Sequence, residues 1–364
     1  MRDESPEIKH KLRSGFTTGA CATATSLAAA NLLINNRSST SASIVLPRGK
    51  AVEFKLERCE RINPSRAIAS TIKDAGDDPD ATHRATIFAE VELVSQVGVR
   101  FHAAEGVGTV TRAGLSLAVG EAAINPVPRQ MMSEHLNELA IESGYKGGFE
   151  VHIGVVNGVT IALDTMNGRL GIIGGLSILG TTGIVRPFSC AAYIASIHQS
   201  IDVAQANGIK HMAACTGSTS EKFVQQELKM SEMAVVEMGD FVGAVLKHIR
   251  KVPIQKLSLC GGFGKISKLA GGHSSLHSKD SSIDFEFFAR IATELGADNT
   301  LVKRIKDSNT SLEVLTYCDV EQLPLAQRIA NLARDQAIKM AQVDTEIEVY
   351  CIDKSGFCVA SSSP

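Results

Sequence analysis

The sequence lacks tryptophan, and aromatic residues make up only 5% of its 364 residues. Proteins that bind single-stranded nucleic acid stack bases on aromatic side chains, so this scarcity counts against such binding. The charges also count against it, because 37 Lys and Arg nearly balance 39 Asp and Glu. A nucleic-acid footprint needs a basic excess. The sequence therefore predicts no nucleic-acid partner.

Long apolar runs and paired cysteines are also missing. No stretch approaches the roughly 18 apolar residues that a membrane-spanning helix needs, and the charged residues 1–13 do not resemble a signal peptide. The eight cysteines form no CxxC pair, which disfavours a zinc knuckle or a disulfide framework. We predict a protein without membrane contact that carries free thiols in the reducing cytoplasm.

The order of predicted elements changes along the chain, and this change predicts an α/β protein of two domains. Residues 1–185 interleave strands and helices without a repeated βαβ order, which is typical of an α+β domain. In residues 186–364, strands begin about every 24 residues with helices between them. That rhythm predicts consecutive βαβ units and a Rossmann-like C-terminal domain, with strands at 209–215, 233–238 and 256–260.

Capping and turn residues make the prediction sharper at several points. Thr17 or Thr18 is predicted to cap an alanine-rich helix, and Gly208 to end the helix 191–207. Asn157-Gly158 predicts a hairpin between strands 149–156 and 159–163. Segment 97–103 is predicted to pair with strand 85–94, and residues 361–364 are predicted to be disordered.

A glycine-rich sequence, Cys260-Gly261-Gly262-Phe263-Gly264, ends the third strand of the C-terminal domain. Ligands of open α/β sheets bind beyond the carboxyl ends of strands, and glycine lets backbone amides approach a polar or anionic group. S-adenosylmethionine or a nucleotide suits this position, while a tight strand-to-helix turn is the structural alternative. The motif is not GxGxxG, and no GxxxxGK[ST] phosphate loop occurs.

A second glycine-rich segment, residues 171–183, contains too much glycine for a stable helix and is too apolar for a solvated loop. Two interpretations remain open for it. It either crosses the core as a linker or faces a ligand between the domains. Arg186 follows closely and either clamps a carboxylate or remains a surface side chain.

Two further stretches contain candidate polar ligands. Four carboxylates occur in the loop 74–80, around Gly76 and Pro79. Such loops can bind hard cations, but the spacing is not that of an EF-hand, and a solvated turn is the alternative. His273 and His277 would share one face if their segment were helical. For them we favour hydrogen bonding to a ligand, leave a structural role open, and predict no protein-bound metal.

Several motifs together resemble the CbiD family, the cobalt-precorrin-5B C1-methyltransferases. They occur in the family's order between about residues 12 and 290, and their length makes the joint match specific. Two segments, 215–220 and 262–265, differ from the common pattern and look like a variant of some bacterial subgroups. The matching stretches are LRSGFTTGACA at 12–22, KDAGDDPDATH at 73–83, GVGTVT at 106–111, INPVPR at 124–129, RLGIIGGLSILGTTGIVRP at 169–187, and parts of 264–272.

The resemblance implies S-adenosylmethionine-dependent methylation of C-1 of cobalt-precorrin-5B, which gives cobalt-precorrin-6A in cobalamin biosynthesis. Cobalt then belongs to the substrate, a small-molecule tetrapyrrole. The resemblance also implies that residues 1–185 bind the macrocycle and that residues 186–364 bind the methyl donor. It leaves open a homo-oligomer and contacts with neighbouring pathway enzymes.

Site residues follow from the same motifs. For Asp77 and Asp78, the catalytic candidates, we favour ligand orientation over general-base catalysis, because an unperturbed Asp, with a pKa of about 3.9, is a weak base. The rival interpretations are a nucleotide-dependent kinase or dehydrogenase and a non-catalytic tetrapyrrole carrier. The expected cofactor contacts are Gly261, Gly262, Gly264, Thr216 and Gly217; the expected substrate contacts are Thr17, Thr18, Gly19, Lys73, Asp74, Thr181, Thr182, Arg186, His273 and His277.

Overall fold

The computed structural model describes residues 12–278 and 280–362. The chain divides into two compact units, Met1–Ser189 and Cys190–Pro364, which are called unit 1 and unit 2 below. Each unit has its own hydrophobic core. Within the described residues, no helix is long and apolar enough to cross a membrane.

Unit 1 combines mostly antiparallel strands with two long helices and one short helix. In chain order its elements are β1 Gly15–Phe16, α1 Thr18–Asn35, β2 Ser41–Val45, β3 Ala51–Lys55, β4 Arg58–Asn63, β5 Arg66–Ile72, β6 Thr86–Val94, β7 Gly98–Ala103, β8 Thr109–Val110, α2 Pro126–Ser143, β9 Gly148–Val155, α3 Gly158–Ala162, β10 Ile172–Ile173 and β11 Ile184–Val185.

The main sheet of unit 1 has the order β4-β5-β6-β9-β7, and α1 packs against it. The alanines of α1 have no bulk beyond Cβ, so the helix approaches the sheet closely and is buried on nearly all sides. As predicted, Thr17 caps the helix, since its Oγ1 accepts a hydrogen bond from the Ala20 amide at 3.2 Å. Unit 1 is therefore the expected α+β domain.

Two pairings in unit 1 differ from the prediction. Strand β7 pairs in parallel with β9 instead of with β6, because β9 inserts between them. The hairpin at Asn157-Gly158 does not form, and α3 follows β9 instead. Both edges of β9 are already occupied by β6 and β7, so no edge is left for a hairpin partner. Asn157 does adopt the left-handed conformation that suggested the turn, with φ 58°.

Unit 2 alternates strands and helices. Its elements are α4 Cys190–Ala206, β12 His211–Cys215, α5 Ser218–Gln226, a 3₁₀ turn Glu232–Ala234, β13 Val235–Glu237, α6 Val242–His248, β14 Lys256–Gly262, α7 Phe263–Ala270, α8 Phe285–Glu294, α9 Asn299–Lys306, α10 Ser311–Val320, α11 Leu325–Ala341, β15 Glu346–Ile352 and β16 Cys358–Ser361.

The sheet of unit 2 has the order β13-β12-β14-β15-β16, in which the first four strands are parallel and β16 is antiparallel. The predicted parallel sheet is thus confirmed. Its first strand, β12, lies between the second and the third, as in doubly wound folds of the flavodoxin type. The larger core covers one face of the sheet, and a smaller cluster around α5 covers part of the other.

The end of the described chain is ordered, so the prediction of a disordered tail is wrong for residues 361 and 362. Ser361 ends β16, and Ser362 is fully buried. The Ser362 Oγ accepts a hydrogen bond from the Val349 amide at 2.9 Å. Hence β16 extends the sheet beyond β15, where small serine side chains had indicated disorder. Residues 363 and 364 lie outside the described residues.

Candidate functional site

The carboxyl ends of β12 and β14 form the switch point of the unit 2 sheet. The chain leaves β12 toward β13 on one side, while β14 lies on the other side, so the two connections diverge and leave a crevice between them. Thr216 and Gly217 follow β12, and Gly261 and Gly262 end β14. The Thr216 amide donates to the Cys260 carbonyl at 3.0 Å. Four of the five predicted cofactor residues therefore meet at one edge.

The glycines at this edge differ in what surrounds them. A Cβ added at Gly217 or Gly262 would meet no atom within 4 Å. Gly262 has an ordinary φ of −62°, so its backbone conformation does not require glycine either. The fifth predicted residue, Gly264, is explained by packing, because its Cβ would lie 2.6 Å from the Ser311 Oγ. Only Gly217 and Gly262 leave room for a ligand against the backbone.

Charged side chains that the sequence analysis missed lie at the same edge. Asp240 follows β13, and its Oδ1 lies 3.0 Å from the Lys265 Nζ, which also donates to the Thr216 carbonyl at 3.3 Å. The Asp240 Oδ1 is buried. It is attracted to the Lys265 ammonium as an ion pair, but the angle between the two groups is not that of a hydrogen bond. The missed signal was an acidic residue shortly after the second strand, the place where Rossmann-type sheets contact a ribose.

Glu237, the last residue of β13, adds a second negative charge near Asp240. Burial raises the pKa of Tyr193 well above its usual value, and the charge of Glu237 and a hydrogen bond to it raise that pKa further. Glu221 and Asp240 act on Tyr193 in the same direction. Tyr193 therefore stays neutral at physiological pH, and the carboxylates near it, those of Glu221, Glu237 and Asp240, outnumber the ammonium of Lys265.

In unit 1, the start of α1 packs against the end of the second glycine-rich segment. The Thr18 Oγ1 accepts from the Leu179 amide at 2.8 Å, and the Gly19 amide donates to the Leu179 carbonyl at 2.9 Å. A Cβ at Gly19 would lie 2.7 Å from the Pro128 side chain. Thr17, Thr18 and Gly19 are thus occupied by contacts within unit 1. Their direct contact with substrate remains a prediction.

The segment 171–183 crosses the core of unit 1, as one of its two interpretations proposed. Leu176 and Ile178 are buried, and their amides donate to the carbonyls of Gly106 at 2.8 Å and Ala123 at 2.7 Å. Gly180 has φ 131°, and its Cβ would lie 2.2 Å from the Thr17 Oγ1. Here glycine is needed because chain packs directly on chain.

Residues 181–186 leave the core again and approach the surface. Thr181 and Arg186 are exposed, while Thr182 is half-buried and its Oγ1 donates to the Ile184 carbonyl at 3.2 Å. Across the described parts of the chain, Arg186 forms no ion pair. Of the predicted substrate contacts in this segment, Thr181 and Arg186 present the most accessible side chains.

The Asp-rich loop holds both ends of unit 1. The Arg13 guanidinium donates to the Asp74 carboxylate, and the Arg13 amide donates to the Asp77 Oδ2 at 2.6 Å. Hydrogen bonding from Arg13 lowers the pKa of Asp74 to about 2. The Phe188 amide donates to the Asp78 Oδ1 at 2.9 Å. The loop is therefore neither a purely solvated turn nor a set of unengaged bases.

Lys73 lies inside the protein instead of facing an open cleft. Its side chain is 1% exposed, and its Nζ lies 2.6 Å from the Asp80 Oδ2. Burial raises the pKa of Asp80, but the charge of Lys73 and its hydrogen bond outweigh that effect, and the pKa lies below its usual value. This ion pair occupies the ammonium that we had expected to meet a substrate carboxylate, so the geometry favours a positioning role for Lys73.

His273 lies away from the glycine edge, whereas His277 follows Leu276, whose amide donates to the carbonyl of Asp240 at 2.8 Å. Residues 271–278 are not helical, so His273 and His277 do not share a helix face. Among the described residues, no group of three or more His, Cys, Asp or Glu could hold a metal ion. His273 follows the end of α7, and Gly262 precedes its start. Eight helical residues separate them by about 12 Å along the axis.

Comparison with known proteins agrees with the motifs. The CbiD family profile matches residues 5–187, and the profile of the CbiD C-terminal domain matches residues 275–363. Two curated relatives are named cobalt-precorrin-5B C(1)-methyltransferase. The one from Paraburkholderia phymatum is 58% identical over 100% of both chains. The one from Pseudomonas savastanoi is 58% identical over 100% of this chain and 98% of its own.

A crystal structure of the cobalamin biosynthesis protein CbiD from Archaeoglobus fulgidus is 27% identical, with a TM-score of 0.40, and the comparison covers 71% of this chain and 80% of the archaeal chain. The two family profiles and the full-length relatives establish membership without it. On the motifs it carries and on these matches, the chain belongs to the CbiD family.

Proposed function

We propose that this protein methylates C-1 of cobalt-precorrin-5B with S-adenosylmethionine, giving cobalt-precorrin-6A in cobalamin biosynthesis. The observation that carries the proposal is full-length similarity, at 58% identity, to proteins named for this reaction. Cobalt enters as part of the tetrapyrrole substrate, and the proposed setting is the cytoplasm.

The switch-point crevice of unit 2 suits the methyl donor. Gly217 and Gly262 leave space where backbone amides can approach a carboxylate. Asp240 and Glu237 place negative charge beside that space, which complements the sulfonium and ammonium groups of S-adenosylmethionine. What counts against a nucleotide is the sequence, which contains neither GxGxxG nor a GxxxxGK[ST] phosphate loop.

Bound S-adenosylmethionine supplies a methyl group that its sulfonium already activates. The protein therefore has to place the acceptor carbon in line and exclude water. In unit 1, Arg186 is the side chain best suited to a substrate carboxylate, because it is exposed and free of ion pairs within the described residues. Asp78 accepts a hydrogen bond from the amide of Phe188, which lies two residues after Arg186, and Asp77 accepts one from the amide of Arg13. We therefore assign both carboxylates to positioning.

The reaction itself tests the proposal. Incubation with methyl-labelled S-adenosylmethionine and cobalt-precorrin-5B should give a product that is heavier by one methyl group at C-1, identified by mass spectrometry and NMR. Methylation at another ring carbon, or no turnover of verified substrate, would contradict the assignment.

A ligand screen separates the rival functions. S-adenosylhomocysteine should raise the melting temperature, because a ligand that binds only the folded state stabilises it. ATP and NAD should leave the melting temperature unchanged. Stabilisation by either nucleotide alone would favour the kinase or dehydrogenase interpretation, and binding of a tetrapyrrole without binding of S-adenosylhomocysteine would favour the carrier.

A further inference from the structure

A second polar cavity lies in unit 2, at the far end of α7 from the glycine edge. It has a volume of about 390 Å³ and lies among α7, α8 and α11. Its lining contains none of Thr216, Gly217, Gly262 and Asp240, which form the proposed methyl-donor crevice. Leu276 connects the two regions, because its carbonyl accepts from the Lys268 ammonium and its amide donates to the Asp240 carbonyl. The charged side chains of its lining are Lys268, His273, Asp284, Arg290, Glu294 and Arg328.

Lys268 is the unusual member of this lining. Its side chain is 9% exposed, and its Nζ donates to the Leu276 carbonyl at 2.9 Å. In residues 12–278 and 280–362, no carboxylate lies within ion-pair distance of that ammonium. A buried charge is costly unless an opposite charge accompanies it. Because Lys268 belongs to the lining of the cavity, an anion bound there would lie near this charge.

The two arginines of the cavity are also weakly compensated. The Arg290 guanidinium lies 5.3 Å from the centre of the Phe287 ring and forms no ion pair with any described residue. The Arg328 guanidinium lies 4.0 Å from the Glu294 carboxylate, the outer limit of an ion pair. Both guanidinium groups therefore keep donors for a ligand, and stacking on Phe287 orients the first of them.

The acidic residues of the lining do not cancel this charge. Asp284 caps α8, since its Oδ1 accepts from the Phe287 amide at 2.8 Å. The lining carries one net positive charge, because three cations, Lys268, Arg290 and Arg328, face two carboxylates, Asp284 and Glu294. The start of α8, a helix of 10 residues, adds the positive end of its dipole.

We infer that this cavity binds a small anion with more than one carboxylate or phosphate oxygen. The buried ammonium supplies a point charge, and the two guanidinium groups supply the paired donors that such groups prefer. The volume admits a ligand of roughly the size of citrate. The lining shares no residue with the methyl-donor crevice, so the inference does not depend on the proposed methyl transfer.

Isothermal titration of the full chain with citrate and with inorganic phosphate, at low salt and neutral pH, tests the inference. Saturable binding of one site per chain is expected, and the tighter of the two anions identifies carboxylate or phosphate as the preferred group. Saturating S-adenosylhomocysteine should leave this affinity unchanged within about twofold, because the two sites share no lining residue.

Three variants make the test specific. Lys268→Met and Arg290→Gln should each weaken anion binding about tenfold or more, since each removes a charge-assisted hydrogen bond. Lys303→Gln, which removes an exposed lysine of α9 outside the cavity lining, should change the affinity less than twofold. Arg290 is exposed, so its variant is informative even where Lys268→Met fails to fold. Absence of saturable binding, or equal weakening by Lys303→Gln, would overturn the inference.

Discussion

The two glycine-rich segments look alike in the sequence and do different things in the structure. In unit 1, glycine lets chain pack on chain: a Cβ at Gly175 would lie 2.3 Å from the Gly106 carbonyl, and one at Gly180 would lie 2.2 Å from Thr17. In unit 2, Gly262 and the nearby Gly217 face open space, although Gly261 and Gly264 are packed. A glycine motif alone therefore does not separate packing from ligand binding. The atoms that an added side chain would meet identify the packed positions one by one.

Gly180→Val should have the largest effect on stability. The substitution places a branched side chain at φ 131° and against Thr17, so we expect a loss of about 3 kcal/mol or more in the free energy of unfolding. Urea denaturation measures the change. Gly174→Ala is the matched control, because its φ is 88° but its Cβ would meet nothing within 4 Å, and it should lose about 1 kcal/mol from backbone strain. Equal losses in the two variants would show that the contact with Thr17 is unimportant.

Gly262→Val should show the opposite behaviour. We expect a change of less than about 1 kcal/mol in the free energy of unfolding, because the side chain enters open space. Binding of S-adenosylhomocysteine should weaken at least tenfold, because the side chain fills the volume that a ligand would use. Calorimetry measures the second quantity. A variant that folds and binds S-adenosylhomocysteine normally would move the proposed cofactor site away from this edge.

Asp240→Asn tests whether the crevice selects a cationic ligand. Loss of one carboxylate should weaken S-adenosylmethionine about fivefold and S-adenosylhomocysteine less, because only the former carries a sulfonium charge. The ratio of the two dissociation constants is the quantity to measure. Asp344→Asn, at an exposed turn, is the control. If the wild-type protein binds neither ligand, the proposed cofactor site is wrong. If it binds both and Asp240→Asn leaves the ratio of the two dissociation constants unchanged, only the proposal that Asp240 selects a cationic ligand fails.

Asp78 separates positioning from general-base catalysis in unit 1. Asn can still accept the Phe188 amide that Asp78 binds, whereas Ala cannot. We therefore expect Asp78→Asn to keep turnover within about threefold of the wild type. Asp78→Ala loses one hydrogen bond, so we expect its KM for the tetrapyrrole to rise about fivefold to tenfold. A large loss of kcat in Asp78→Asn with unchanged binding would instead assign Asp78 as a base. Asp77→Asn is assayed in the same way.

The smallest expected effect concerns acid stability. The pKa of Asp74 is lowered to about 2 by hydrogen bonding from Arg13, against about 3.9 in an unfolded chain. The stabilisation that ionised Asp74 adds to the free energy of unfolding is present above about pH 3.9 and is lost as the pH falls toward 2. Because both side chains are about half exposed and solvent screens their attraction, we expect only a small change in the free energy of unfolding. Arg13→Gln should flatten the fall in stability over that interval in acid titrations, and an unchanged profile would show that the pair is fully screened.

Local signals predicted the elements whose contacts are local. The capped start of α1 and the regular spacing of β12, β13 and β14 follow from neighbouring residues and the periodicity of βαβ units. The false hairpin at Asn157 and the missed β16 depend on distant partners. Whether β9 has a free edge is decided by β6 and β7, and Ser362 is ordered by Val349. Short-range patterns do not contain such information.

The candidate site was predicted to a similar extent. Glycines after strands pointed to the edge where Thr216, Gly217, Gly261 and Gly262 meet, because parallel strands share their carboxyl ends. Asp240 was missed, since one acidic residue after a short strand does not stand out among 39. Lys73 was predicted to face the substrate, because no local pattern shows that Asp80, seven residues further on, folds back to neutralise it.

The Asp-rich loop also has a consequence for how unit 1 can be handled. It binds the amides of Arg13 and Phe188 through adjacent residues, so residues 13 and 188 lie close together. Units with neighbouring ends tolerate circular permutation. A fragment in which residue 12 is joined to residue 189 by a short glycine linker and the chain is opened at the exposed turn 47–50 should give the same far-ultraviolet circular dichroism spectrum as the unpermuted fragment 12–189. A permuted fragment that fails to fold where the unpermuted fragment folds would show that the connectivity, and not only the final contacts, matters for this half of the molecule.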